Sequence, residues 1–179
     1  MRISVWTWGL SATVACASLA HAEVRETRES AFIIESSAKA SADPAHVYTA
    51  LGKVSAWWDP QHTWSGSATN LSIHLQAGGC FCEKLAGGGS VEHGRVIYAQ
   101  PGVTLRLDAP LGPLQDMAVV GILTFKLAPQ DGGTLITLTY RVSGALRMES
   151  AKLAPIVDQV LSTQLDRLVA YAGTQRSRK

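Results

Sequence analysis

The chain has 179 residues, 46% of them hydrophobic and 17% charged, and a formal net charge of +2. That length suits one domain behind a leader. Basic residues form no run before the last positions, Arg176-Ser177-Arg178-Lys179, which excludes an electrostatic footprint for nucleic acid or acidic lipid.

Met1-Arg2 is a short charged start, residues 3–19 are uncharged and mostly apolar, and Ala20-His21-Ala22 is a small-x-small cleavage site. This pattern predicts a signal peptide over residues 1–22, cut after Ala22, and a secreted or periplasmic protein. The apolar run is too short, and too rich in Ser and Thr, for a membrane span. An alternative uses Cys16 as a lipoprotein cysteine, which would anchor the chain, although Thr13 departs from the aliphatic residue usual there.

Beyond the leader stand Cys80 and Cys82. An oxidising compartment invites a disulfide. On a regular strand, however, residues i and i+2 carry Cβ atoms roughly 7 Å apart, against about 3.8 Å in a disulfide. The spacing argues against the bond, and only a distorted strand would permit it.

Residues 23–29 are polar and read as a flexible lead-in, and 30–40 as the first strand. Asp43-Pro44 starts a helix, with Asp43 as N-cap, that runs to Leu51 and stops at Gly52. A second short helix, 54–58, is ended by Asp59-Pro60. A polar loop with His62 and Trp64 fills 61–69. Strands follow at 71–76, 80–85, 91–100, 103–107, 117–127 and 134–142, separated by glycine- and proline-containing turns. Residues 108–115, with two prolines, read as an irregular rim. The last element is a helix over 150–172. Its apolar stripe includes Leu153, Val157, Leu161, Leu165 and Leu168, Pro155 begins or kinks it, and Gly173 stops it. Residues 174–179 are a basic tail.

The predicted fold is therefore α+β. A curved antiparallel sheet of about seven strands wraps around a long C-terminal helix, with two short helices after the first strand. One helix cannot cover such a sheet, so a gap able to hold a small molecule is expected between them.

Several motifs in this order resemble one superfamily. They are residues 43–51 (DPAHVYTAL) followed by Ala56-Trp57-Trp58; Gly78-Gly79-Cys80-Phe81; Gly94-Arg95-Val96 with Pro101 and Leu105; and Leu123-Thr124-Phe125 with Gly133-Thr134. The chain is similar, over residues 30–173, to START-like (SRPBCC) domains with the helix-grip fold. Its motifs resemble the branch of polyketide cyclase/dehydrase-like proteins and homologues of the activator of heat-shock-protein-90 ATPase. The resemblance implies a common cavity and no common chemistry, so fold alone does not decide function.

Glu83 and His93 form the candidate acid–base pair. Glu83 shares a face with Phe81, His93 is expected to share a face with Arg95, and the two strands should pair. Candidate ligand-contacting residues are Trp58, Phe81, Arg95, Phe125, Leu138, Tyr140, Val157 and Leu161. His74, Cys80 and Cys82 could contribute to a metal set, but no fourth ligand is evident and no metal is expected. No phosphate loop, nucleophile elbow or dinucleotide fingerprint occurs, and no cofactor is expected. The leading expectation is an exported module binding a hydrophobic small molecule or lipid, with binding favoured over catalysis. The alternatives are a cyclase/dehydrase-like enzyme using Glu83 and His93, and a protein-interaction module related to chaperone activators. The leader argues against the last, because a cytosolic ATP-driven chaperone would not share its compartment.

Overall fold

A computed structural model describes residues 21–176. The predicted leader and the end of the tail lie outside the described residues, except that His21 and Ala22 open the first strand.

Among the described residues, eight strands form one antiparallel sheet. In chain order they are β1 (His21–Arg28), β2 (Ala31–Ala40), β3 (Leu71–Ile73), β4 (Cys80–Lys84), β5 (Ser90–Gln100), β6 (Thr104–Asp108), β7 (Val119–Gln130) and β8 (Gly133–Gly144). The spatial order is β1-β2-β8-β7-β6-β5-β4-β3, so β3 to β8 run as a meander and β2 closes against β8. Two short helices, α1 (Pro44–Leu51) and α2 (Val54–Trp57), follow β2, and the long α3 (Ser150–Arg176) ends the chain.

The strand count corrects the expected seven, and the addition is β1. The stretch read as a lead-in pairs with β2, from Glu23 opposite Glu35 to Arg28 opposite Ala31. Its charges hid it: a strand on a sheet edge often carries Glu and Arg, which discourage further pairing.

Local chemistry sets the element ends. The Asp43 carboxylate accepts the His46 N–H at 2.9 Å, and Pro44 occupies the first turn of α1. Strand β8 alternates as its sequence requires, with Ile136, Leu138, Tyr140 and Val142 buried. Helix α3 lays Ala154, Leu161, Leu165, Leu168 and Ala172 on the core. Fully burying each leucine contributes about 2 kcal/mol. The helix contains Pro155 and continues past Gly173 to Arg176. Pro155 lies near its start and is exposed, so the proline costs one backbone hydrogen bond on the solvent side rather than ending the helix.

Polar groups on α3 fix the loop after α2. Gln164, buried, accepts the Asp59 N–H at 2.8 Å, and Arg167 Nε donates to the Trp57 carbonyl at 2.7 Å. Among the described residues no helix is long and apolar enough to cross a membrane.

Candidate functional site

The space between sheet and helix is not one continuous gap. Its deep part is filled: Phe81, Leu105, Leu107, Leu123 and Phe125 close around a void of about 20 Å³, too small for any organic ligand. The open space lies at one end. A cavity of about 470 Å³ is bounded by the 58–64 loop, the 111–117 loop and the first half of α3. Leu153, Ile156, Val157, Val160 and Leu161 form the helix wall. Trp64 and Ile156, which are 56% and 54% exposed, stand at its rim. The walls are apolar, and the polar residues reaching them are few: Gln61, His62, Thr63 and His93.

His93 lies two residues after Val91, which pairs with Glu83, so it faces inward, and a β-bulge sits at it. Phe81 pairs with Gly94 and Cys82 with Glu92, leaving His93 as the extra residue on β5. A bulge breaks the two-residue period and re-aims side chains. His93 and Gly94 are consequently both buried, while Arg95 is turned outward. This overturns the expectation that His93 and Arg95 share a face. Arg95 pairs with Glu92 and donates to the Gly78 carbonyl at 3.0 Å, outside the cavity.

Glu83 is fully buried, and its Oε2 lies 2.7 Å from His93 Nε2. The same oxygen accepts the Trp64 N–H at 3.1 Å, and Oε1 accepts the Ser65 N–H. Burial pushes the carboxyl pKa up. Hydrogen bonds from Ser65, Trp64 and His93 outweigh it, and the group sits below the ordinary carboxylate value. An ionised Glu83 accepts from His93 Nε2–H. Neutral His93 is then left with Nδ1 as its acceptor. Glu83 is therefore placed to orient the ring and hold charge.

The 111–117 wall is held from below. Tyr140 is completely buried, its hydroxyl donates to the Ala109 carbonyl at 2.7 Å, and it accepts the Leu111 N–H at 3.1 Å. Burial raises its pKa well above that of an ordinary phenol. Close packing completes the anchor. A Cβ at Gly94 would stand 2.4 Å from that of Ala109, and one at Gly121 would stand 2.5 Å from the Tyr140 hydroxyl.

Of the residues expected to contact ligand, Trp58, Val157 and Leu161 line the cavity. Phe81 lies behind them, 5.3 Å from Trp58 and 5.0 Å from His93 between ring centroids. Phe125 and Leu138 belong to the filled core, and Tyr140 serves the loop. Leu165 and Leu168, further along the apolar stripe of α3, are core as well. Sequence reading passed over His62, Leu111, Leu114 and Met117 as ligand contacts. The two prolines and the polar loop signalled a rim but gave no reason to bring those loops together. Cys80 and Cys82 are joined by a disulfide, with Cα atoms 5.4 Å apart. The bulge between Phe81 and Cys82 supplies the distortion that a regular strand lacks.

No family model and no curated protein matches the chain. Solved structures do. CalU16 from Micromonospora echinospora superposes with a TM-score of 0.57 at 16% identity, over 86% of this chain and 84% of that one. A conserved protein of unknown function from Enterococcus faecalis gives 0.60 at 17%, over 86% and 78%. The di-domain ARO/CYC StfQ from the steffimycin biosynthetic pathway gives 0.55 at 13%, covering 84% of this chain and 53% of that one. At these identities the likeness shows the fold alone: an antiparallel sheet with a long C-terminal helix.

Proposed function

We propose that this chain is an exported helix-grip domain of the polyketide cyclase-like branch. It binds a mostly apolar small molecule in the cavity between the 58–64 loop, the 111–117 loop and α3. The ligand carries one hydroxyl or similar donor, which meets His93 Nδ1. The observation that carries this reading is a 470 Å³ apolar cavity with a buried, Glu83-held histidine in its wall. Its size lies within the range of small-molecule sites, as does the pattern of apolar walls with a few convergent polar groups. Export is supported by the leader pattern and by the Cys80–Cys82 disulfide, since such bonds persist in oxidising compartments. Native mass spectrometry of the protein purified from its own host tests the reading. A retained mass lost in Val157→Trp supports it; an empty protein that also fails to bind 1-naphthol contradicts it.

A second reading is favoured by the Glu83–His93 contact. A carboxylate-oriented imidazole beside an apolar cavity can act as a general base on an acidic C–H or O–H of the ligand. The ARO/CYC designation of StfQ accords with ring-forming chemistry on this fold. His93→Gln separates the readings, because an enzyme loses turnover on the identified ligand and a carrier loses only a fraction of its affinity.

A further inference from the structure

The disulfide lies outside the cavity, on the outer face of β4, whose inner face backs the lining residues Trp58 and His93. On β4, Phe81 and Glu83 are buried inward while Cys80 and Cys82 are half-buried on the outer face. The side chains beside them there, Ser72, Glu92 and Arg95, are all exposed, as is His74, whose N–H donates to the Cys80 carbonyl at 3.1 Å just past the end of β3. A dissolved thiol can therefore reach the bond.

The bond adds little as a cross-link. It spans two positions in sequence, and the stabilisation gained by closing a loop grows with loop length. Its local effect is larger. The cysteine Cα atoms stand 5.4 Å apart, against about 6.6–6.8 Å for residues i and i+2 of a regular strand. The shortened segment coincides with the register shift that makes His93 the extra residue.

We propose that Cys80–Cys82 is a redox-active dithiol/disulfide couple open to thiol exchange, and that it sets, through the β4–β5 bulge, how Glu83 and His93 meet in the cavity wall. In the exchange a thiolate RS⁻ bonds to one cysteine sulfur as the Cys80–Cys82 bond breaks, and the other sulfur leaves as a thiolate. A second RS⁻ then bonds to the sulfur of the R group in that mixed disulfide, and the cysteine sulfur leaves as a thiolate, releasing RSSR. The sum is one protein disulfide and two RSH giving two cysteine thiols and RSSR. Glu92 Oε2 stands 4.0 Å from Cys80 Sγ and is already paired with Arg95. A thiolate released there meets a carboxylate whose charge is balanced. Reduction lets β4 relax toward regular spacing, which frees the bulge that coincides with the bond to shift its register.

The test uses the full mature chain and two readouts. Equilibration in glutathione buffers, followed by alkylation and mass spectrometry, reports the bond. Amide spectra of Trp64 and Ser65, whose N–H groups bind Glu83, report the wall without any ligand. The expected result is reversible reduction by buffers that leave ordinary structural disulfides intact, accompanied by shifts of both amides. Cys82→Ser should reproduce those shifts; if it does not fold, reduction of the wild type still decides. A bond that resists glutathione overturns the exchange role. Reduction that leaves both amides in place overturns the coupling.

Discussion

His93 Nε2 lies 2.7 Å from Glu83 Oε2, and both side chains are buried at the wall of an apolar cavity. The carboxylate is also held by two backbone N–H groups of the 58–64 loop and its continuation. One residue thus ties β4, β5 and that loop together. Glu83→Gln replaces an acceptor-only group by one that presents two donors to a donor-lined site. Losing a buried, charge-assisted network costs about 3 kcal/mol. Urea unfolding should show that loss, with the amide signals of Trp64 and Ser65 displaced.

Stability should depend on pH with two opposing signs. The Glu83 pKa is lower in the folded chain than in the unfolded one. Between the two values the unfolded chain binds the extra proton, so stability rises with pH. The contribution is complete above the unfolded carboxylate value, about 4.3, and is lost as pH falls through the depressed folded value. Asp158, between α3 and Ser36 of β2, runs the other way: burial raises its pKa, partly offset by the hydrogen bond from Ser36. There stability falls as pH rises from the unfolded to the folded value. Urea midpoints measured from about pH 3 to pH 7 should lose the Glu83 share of the rise in Glu83→Gln, with that of Asp43 remaining, and the Asp158 fall in Asp158→Asn.

The anchor of the 111–117 wall can be cut without touching the cavity. Tyr140→Phe removes a hydroxyl that serves both Ala109 and Leu111. The expected cost is about 1–3 kcal/mol, with faster amide exchange at Leu111. Gly121→Ala should cost more, because its Cβ would stand 2.7 Å from the Ala109 carbonyl oxygen as well as against the Tyr140 hydroxyl.

Val157→Trp should fill the cavity from the helix side. Val157 is half-buried on its wall and not in the filled core. The variant is expected to keep its melting temperature within a few degrees and to lose 1-naphthol binding by fluorescence titration. Leu165→Ala gives the converse outcome. Leu165 is fully buried and off the wall, so it should lose about 2–5 kcal/mol and retain binding.

These contrasts mark what was legible in the sequence. The stripe of α3 and the alternation of β8 carried the fold, because their periods of 3.6 and 2 persist over many residues. The Glu83–His93 pairing was legible because short turns place consecutive strands side by side. Arg95 was misplaced because a bulge adds one residue, and its one signal in residues 90–96 (SVEHGRV) is Gly94, a glycine inside a strand. The same bulge defeated the geometric argument against the disulfide. Tyr140, on the apolar face of β8, needs a partner for its hydroxyl. That partner proved to be the Ala109–Leu111 backbone, which no period predicts.

The account turns on His93 offering Nδ1 to a ligand while Glu83 holds Nε2–H. Ring-nitrogen NMR of His93, recorded free and with 1-naphthol, tests this most directly. The predicted spectrum shows the Nε2–H tautomer in the free protein, and naphthol shifts Nδ1 while Nε2 stays in place. A free ring protonated on Nδ1, or nitrogen signals that do not respond to naphthol, would contradict the account.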